Sequence, residues 1–181
     1  QEISNPAGLF LEERSNDASG SVVCACLEGN RPILVEVQAL VAKTPYGMPR
    51  RTAVGFDYNR VTMLLAILER RLGMDFGAYD AYVNVVGGMR VTEPAADLAV
   101  AAALVSSYRN RPIPHGVLVM GEVGLTGEVR RIGSPERRIK DAMNLGFKRF
   151  VLPMGKLSLD EPCNGVVQVK TLEEALDKVF A

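Results

Sequence analysis

The stretch Val83-Asn84-Val85-Val86-Gly87-Gly88-Met89-Arg90-Val91-Thr92-Glu93-Pro94-Ala95-Ala96-Asp97-Leu98-Ala99 contains three structural signals in succession. Residues 81 to 86 are rich in Val and Tyr and read as a strand, and Gly87-Gly88 reads as a turn. Residues 95 to 107 are apolar almost all round, which predicts a helix in the middle of the domain rather than on its surface. Pro94 suits the first turn of that helix, with Glu93 near the positive end of its dipole. A second stretch, Gly121-Glu122-Val123-Gly124-Leu125-Thr126-Gly127-Glu128-Val129-Arg130-Arg131-Ile132, carries glycines three apart. That spacing is neither a dinucleotide fingerprint nor a phosphate loop, since no Gly-Lys-Ser or Gly-Lys-Thr follows, and turn geometry accounts for it. Gly155-Lys156 is followed by Leu157 and fails the same test.

Outward from these stretches, residues 21 to 28 and 32 to 43 alternate polar with apolar around Gly29-Asn30 and predict a β-hairpin, with Cys24 and Cys26 on one face. Thr44 to Pro49 is a loop by its prolines and glycine. Asn59 is the expected cap of a helix whose stripe is Val61, Leu64, Leu65, Leu68 and Leu72, ended by Gly73 and exposing Arg60, Glu69 and Arg70 or Arg71. Strands are expected at 117 to 120 and near 128 to 132, and a helix from Pro135 to Leu145 stopped by Gly146. A strand at 149 to 152, another at 166 to 169 and a helix at 172 to 180, capped by Thr171 with Glu174 three residues on, complete a mixed α/β (α+β) domain.

At 181 residues with 48% apolar side chains, one domain can bury roughly 70% of its unfolded surface. Three cysteines, with Cys163 far from the other two, form neither a disulfide framework nor a paired zinc motif and are expected as reduced core thiols. No apolar run reaches the roughly 18 residues of a membrane span, so a cytoplasmic protein with no membrane partner is expected. Because the chain opens on Gln1 without an initiator Met, it is expected to be a fragment. The balance of 21 basic and 21 acidic residues leaves the distribution of charge to decide the partners. Arg50, Arg51 and Arg60 cluster near a loop and a helix start, and Arg90 follows a flexible Gly-Gly. Such positions present guanidinium groups to phosphate, and amides at the helix start would add to an anion site. Arg137 and Arg138 beside Glu136 are expected as an ordinary helix face, and His115 as a surface loop residue.

Both stretches resemble the proteolytic domain of the Lon family. That family reads roughly Gly-Pro-Ser-Ala-Gly, with a serine nucleophile, where this chain has Glu93-Pro94-Ala95-Ala96-Asp97. Its lysine base follows an Ile-Gly-Gly, where this chain has Ile132-Gly133-Ser134-Pro135 and then Glu136. The dyad positions are thus Ala95 and Glu136, and a serine peptidase needs a hydroxyl within reach of a base. Ser106 and Ser107 lie about three helical turns from Ala95, Ser134 sits beside the lysine position, and Lys140 is one turn beyond Glu136.

With Arg50 to Arg60 (Arg-Arg-Thr-Ala-Val-Gly-Phe-Asp-Tyr-Asn-Arg) and Leu145 to Pro153, the match from about Asn5 to Phe180 is similar to the C-terminal Lon-like domain of the RadA (Sms) family of bacterial DNA-repair ATPases. The resemblance implies a Lon-proteolytic or ribosomal S5 domain-2-like fold over 1–181. Residues 1–20 would be an extended lead-in from a missing ATPase domain. It further implies a catalytically inactive domain of an ATP-dependent DNA repair and recombination protein, active in branch migration and in processing recombination intermediates. The domain would serve as a scaffold of a homo-oligomeric, hexameric ring, contacting DNA through Arg60 and Arg90 first and Arg50 and Arg51 second, with a recombinase as partner. No cofactor or metal is expected on these residues; ATP, magnesium and zinc would belong to the rest of the parent protein. The alternatives are a Ser-Lys peptidase with a relocated dyad and a pure oligomerisation module.

Overall fold

The computed structural model describes residues 11–15 and 17–181, so most of the expected lead-in at 1–20 lies outside the described residues. From Ser21 onward, the described residues form nine strands and four α-helices in chain order. They are β1 (Ser21–Glu28), β2 (Arg31–Lys43), β3 (Arg51–Val54), α1 (Tyr58–Leu72), β4 (Tyr79–Val85), α2 (Asp97–Arg109), β5 (Val117–Val119), β6 (Glu122–Val123), β7 (Val129–Arg130), α3 (Pro135–Asn144), β8 (Arg149–Pro153), β9 (Val166–Val169) and α4 (Leu172–Val179). Seven strands form one sheet in the order β3-β4-β2-β1-β5-β8-β9, and β6 and β7 form a separate ribbon. The hairpin β1–β2 is antiparallel from Ser21↔Gln38 to Glu28↔Arg31, and β2–β4 is antiparallel. The other four pairings are parallel, so the expected mixed α/β class holds.

The apolar sequence after Pro94 does form a central helix. Every residue of α2 from Asp97 to Ser106 is buried, and it packs on β1 and β2 with α1 against it. Four alanines, Ala99 and Ala101 to Ala103, let it approach its neighbours closely, while Leu98 and Leu104 fill the space between. Fully burying a side chain of that size contributes about 1.5–3 kcal/mol. Strand β1 is buried from Ser21 to Cys26, as the inner strand of a hairpin covered by a helix must be.

Several expectations are corrected. The cap of α1 is Asp57, whose carboxylate accepts the Arg60 N–H at 3.0 Å, so the helix starts before Asn59. Residues 51–54, for which no element was expected, are the edge strand β3, which propensity over four residues cannot reveal. The strand expected near 128 to 132 is only Val129–Arg130, paired with Glu122–Val123. Pro94–Ala96 forms a single 3₁₀ turn, so α2 begins at Asp97 and runs on to Arg109. Cys24 and Cys26 do share a buried face, their sulfurs 3.8 Å apart, whereas Cys163 is only half-buried and not a core thiol. Arg138 is the largest departure: it is buried rather than on a solvated helix face.

Candidate functional site

After β4 the chain reverses at Gly87 and Gly88, both with positive φ, and residues 89 to 91 come to lie along Gly55, where Val91 N–H donates to its carbonyl at 2.7 Å. A Cβ on Gly55 would stand 2.5 Å from the Met89 carbonyl oxygen, so only glycine allows that approach. The segment then enters the 3₁₀ turn. Ala95 is buried there, and its carbonyl accepts the Gly121 N–H at 2.8 Å. This turn is bracketed by two carboxylates, each tied to a guanidinium from a distant element.

Glu93, before the turn, accepts the Leu27 N–H at 2.6 Å through Oε2 and pairs with Arg138 through Oε1. Arg138 also donates to the Gly133 and Ala25 carbonyls, each at 2.8 Å, so its buried charge has partners on α3's approach, on β1 and on the turn. Asp97, after the turn and without exposure, takes Arg60 bidentately, Nε to Oδ1 at 2.8 Å, and the Val123 N–H at 3.1 Å. Burial pushes the Asp97 carboxyl above the usual range while Arg60 and the Val123 N–H pull it down. The same pairing raises the Arg60 guanidinium. Glu136 is half-buried and accepts the Ser158 N–H at 3.3 Å.

Around Ala95 the turn is therefore held by fixed ion pairs, with no hydroxyl on the residue itself. Ser106 donates to the Arg111 carbonyl at 2.5 Å and accepts the Gly20 N–H at 2.8 Å, and Ser107 accepts the Val41 N–H at 2.9 Å. Both hydroxyls hold backbone. Among the described residues no group of three or more His, Cys, Asp or Glu could hold a metal ion. A cleft of about 740 Å³ lies between the start of β2, the Val86–Met89 turn and the end of α3. Its lining sets the carboxylates Glu28, Glu36 and Asp141 against Arg31, which disfavours phosphate there.

The four arginines singled out in the sequence separate into two kinds. Arg60 is only 28% exposed and is engaged by Asp97, and Arg51 donates to the Tyr79 carbonyl and, at 3.0 Å, to that of Phe76. Both guanidinium groups are internal ties rather than free cations. Arg50 and Arg90 are exposed, and neither guanidinium has an ion pair or hydrogen bond among the described residues. Nothing in the spacing links Arg60 to Asp97 or Arg138 to Glu93, 37 and 45 residues apart, so neither pair was legible. Phe56 is buried, while Tyr46 and Tyr58 are exposed. His115 lies on the surface as expected.

A family model described as subunit ChlI of Mg-chelatase matches residues 37–156, and the chain belongs to that family of α/β domains. Over nearly its whole length it is also homologous to part of proteins called DNA repair protein RadA. It is 48% identical to the RadA of Halalkalibacterium halodurans over 98% of this chain and 39% of the relative. With that of Pseudomonas aeruginosa the identity is 49%, over 99% and 40%, and with that of Bacillus subtilis 48%, over 97% and 39%. The chain spans about two fifths of the length of these curated relatives.

Proposed function

We propose that this chain is a non-peptidase domain of a RadA-type, ATP-dependent DNA repair protein, in which it acts as an assembly scaffold and a sequence-independent contact for the DNA backbone. The observation that carries this reading is the site around Ala95: a residue with no nucleophilic atom, on a turn tied down by Glu93–Arg138 and Asp97–Arg60. Such a site is rigid and lacks the chemistry of acyl transfer. The relatives' name supports a role in DNA repair. Of the arginines, Arg50 and Arg90 carry the proposed contact, because the charge of Arg60 is already matched by the buried Asp97 and Arg51 is turned onto the Tyr79 and Phe76 carbonyls. In the parent protein, ATP, magnesium and zinc would be bound outside these residues, and copies would assemble as a hexameric ring beside a recombinase.

The test is fluorescence anisotropy of labelled single- and double-stranded DNA over a salt series, comparing the wild type with an Arg50→Ala, Arg90→Ala double variant of matched oligomeric state. Loss of two phosphate contacts lowers the affinity and reduces the log–log salt slope by about 1.4–1.8. An unchanged slope with retained binding would remove these two residues from the contact, and no binding by the assembled wild type at low salt would leave only the scaffold.

A further inference from the structure

We propose that Asn164 is a self-modifying site: in the folded protein its carboxamide is converted to aspartate and isoaspartate through a cyclic imide closed by the Gly165 nitrogen. The site lies where the chain enters β9, at the end of the sheet opposite β3, and involves neither the Ala95 turn nor the exposed arginines.

Asparagine is among the chemically labile side chains. Its cyclisation needs a carboxamide open to solvent, a following backbone nitrogen that no hydrogen bond holds, and no Cβ on the following residue to crowd the attack. Of the eight asparagines, Asn164 alone precedes glycine. Asn30, Asn59 and Asn110 are followed by arginine, Asn84 by valine and Asn144 by leucine, whose side chains obstruct the attacking nitrogen. Asn110 is held as well, its Oδ1 accepting the Ser19 hydroxyl at 3.1 Å.

The fold fixes the glycine and leaves the asparagine free. A Cβ at position 165 would stand 1.7 Å from the Lys148 carbonyl oxygen, so the approach of this turn to the segment before β8 admits only glycine. The Gly165 carbonyl accepts the Phe150 N–H at 2.8 Å, at the start of the β8–β9 ladder. The Gly165 N–H, by contrast, has no acceptor among the described residues. Asn164 sits in the turn, exposed, and makes no hydrogen bond among the described residues. Packing against Lys148 therefore demands the one residue type that opens the neighbouring carboxamide to attack.

The Gly165 N–H gives its proton to hydroxide, and the nitrogen attacks Asn164 Cγ. A bond forms between the two, the bond from Cγ to the side-chain nitrogen breaks, and ammonia leaves with a proton from water. A second water then opens the five-membered imide. Cleavage at Cγ gives aspartate. Cleavage at the main-chain carbonyl gives isoaspartate, whose backbone runs through the former side chain and is longer by one methylene. Either product puts a carboxylate where a neutral amide stood, taking the net charge one unit below its present zero. The added length falls ahead of the ladder, in residues 160–164, which are exposed except for the half-buried Cys163, so the β8–β9 pairing persists.

The experiment ages the whole chain at physiological temperature and maps its peptides by mass spectrometry, with fragmentation that separates aspartate from isoaspartate. Conversion at Asn164 is expected to be at least tenfold faster than at the exposed Asn110 and Asn144, to yield both products and to accelerate as pH rises from 7 to 9. Because no hydrogen bond holds the reacting groups, the folded rate should lie within tenfold of the rate in guanidinium chloride. Isoelectric focusing should show a first acidic band that is missing from Asn164→Gln, whose extra methylene requires a larger ring that closes more slowly. Gly165→Ala is not used, since its Cβ would meet the Lys148 carbonyl. Conversion at Asn164 less than tenfold faster than at Asn110 and Asn144, a folded rate more than tenfold below that of the unfolded chain, or a first acidic band unchanged in Asn164→Gln would overturn the proposal.

Discussion

Arg138 shows how much one buried charge organises. Its guanidinium joins Glu93, Ala25 and Gly133, on the turn before α2, on β1 and ahead of α3. Replacing it by methionine keeps the volume but leaves Glu93 without its partner, and breaking a buried pair on one side costs about 3–5 kcal/mol. Arg138→Met should therefore lower the urea midpoint strongly, with an unchanged m-value. The same argument applies to Arg60, so reduced DNA binding by Arg60→Ala would report damage around Asp97 rather than a lost phosphate contact. Asp80 offers a pH readout. The Arg50 N–H at 2.7 Å and the Thr44 hydroxyl at 2.9 Å hold its carboxyl below the usual range. A depressed folded value means that the contribution is fully present above the unfolded carboxylate value, about 3.9, and is lost as pH falls through the lower folded one. Urea unfolding of Asp80→Asn from neutral pH down to about 2 should show a shallower loss of stability than wild type below pH 4. A slope identical to wild type would remove Asp80 from the acid response.

At the scale of elements, local sequence and tertiary context divide the work unevenly. Helix α4 is written locally: Thr171 accepts the Glu174 N–H at 3.2 Å, and Leu172, Ala175, Leu176 and Val179 form its buried face. Thr171→Ala should cost about 1 kcal/mol, read as a lowered melting temperature in a calorimetric scan. The hairpin β1–β2 and the buried helix α2 were equally readable, because period-2 alternation and an all-round apolar helix are strong signals. Strand β3 was not. Its four residues, Arg51 to Val54, have no distinctive pattern, and they become a strand because β4 supplies a parallel ladder beside them. The cap of α1 was misplaced by two residues because Asp57 and Asn59 are both good caps, and only the geometry chooses between them.

Over the whole molecule the sheet is asymmetric. Its β1-β5-β8 part is buried, while Gln38, Leu40, Asn84, Thr52 and Val54 share an exposed face on the β2-β4-β3 side. Exposed apolar side chains and an exposed guanidinium come together at the β3 end, where Arg50, Tyr46, Met48 and Val54 lie. The sequence by itself determined the α/β class, most element positions, the buried central helix and the lack of a hydroxyl at Ala95, since these follow from side-chain chemistry and local periodicity. Only the tertiary structure decided which arginines are free. A guanidinium's availability depends on whether a carboxylate or carbonyl from a remote segment reaches it, and long-range closure, not spacing along the chain, brings Asp97 to Arg60 and Glu93 to Arg138.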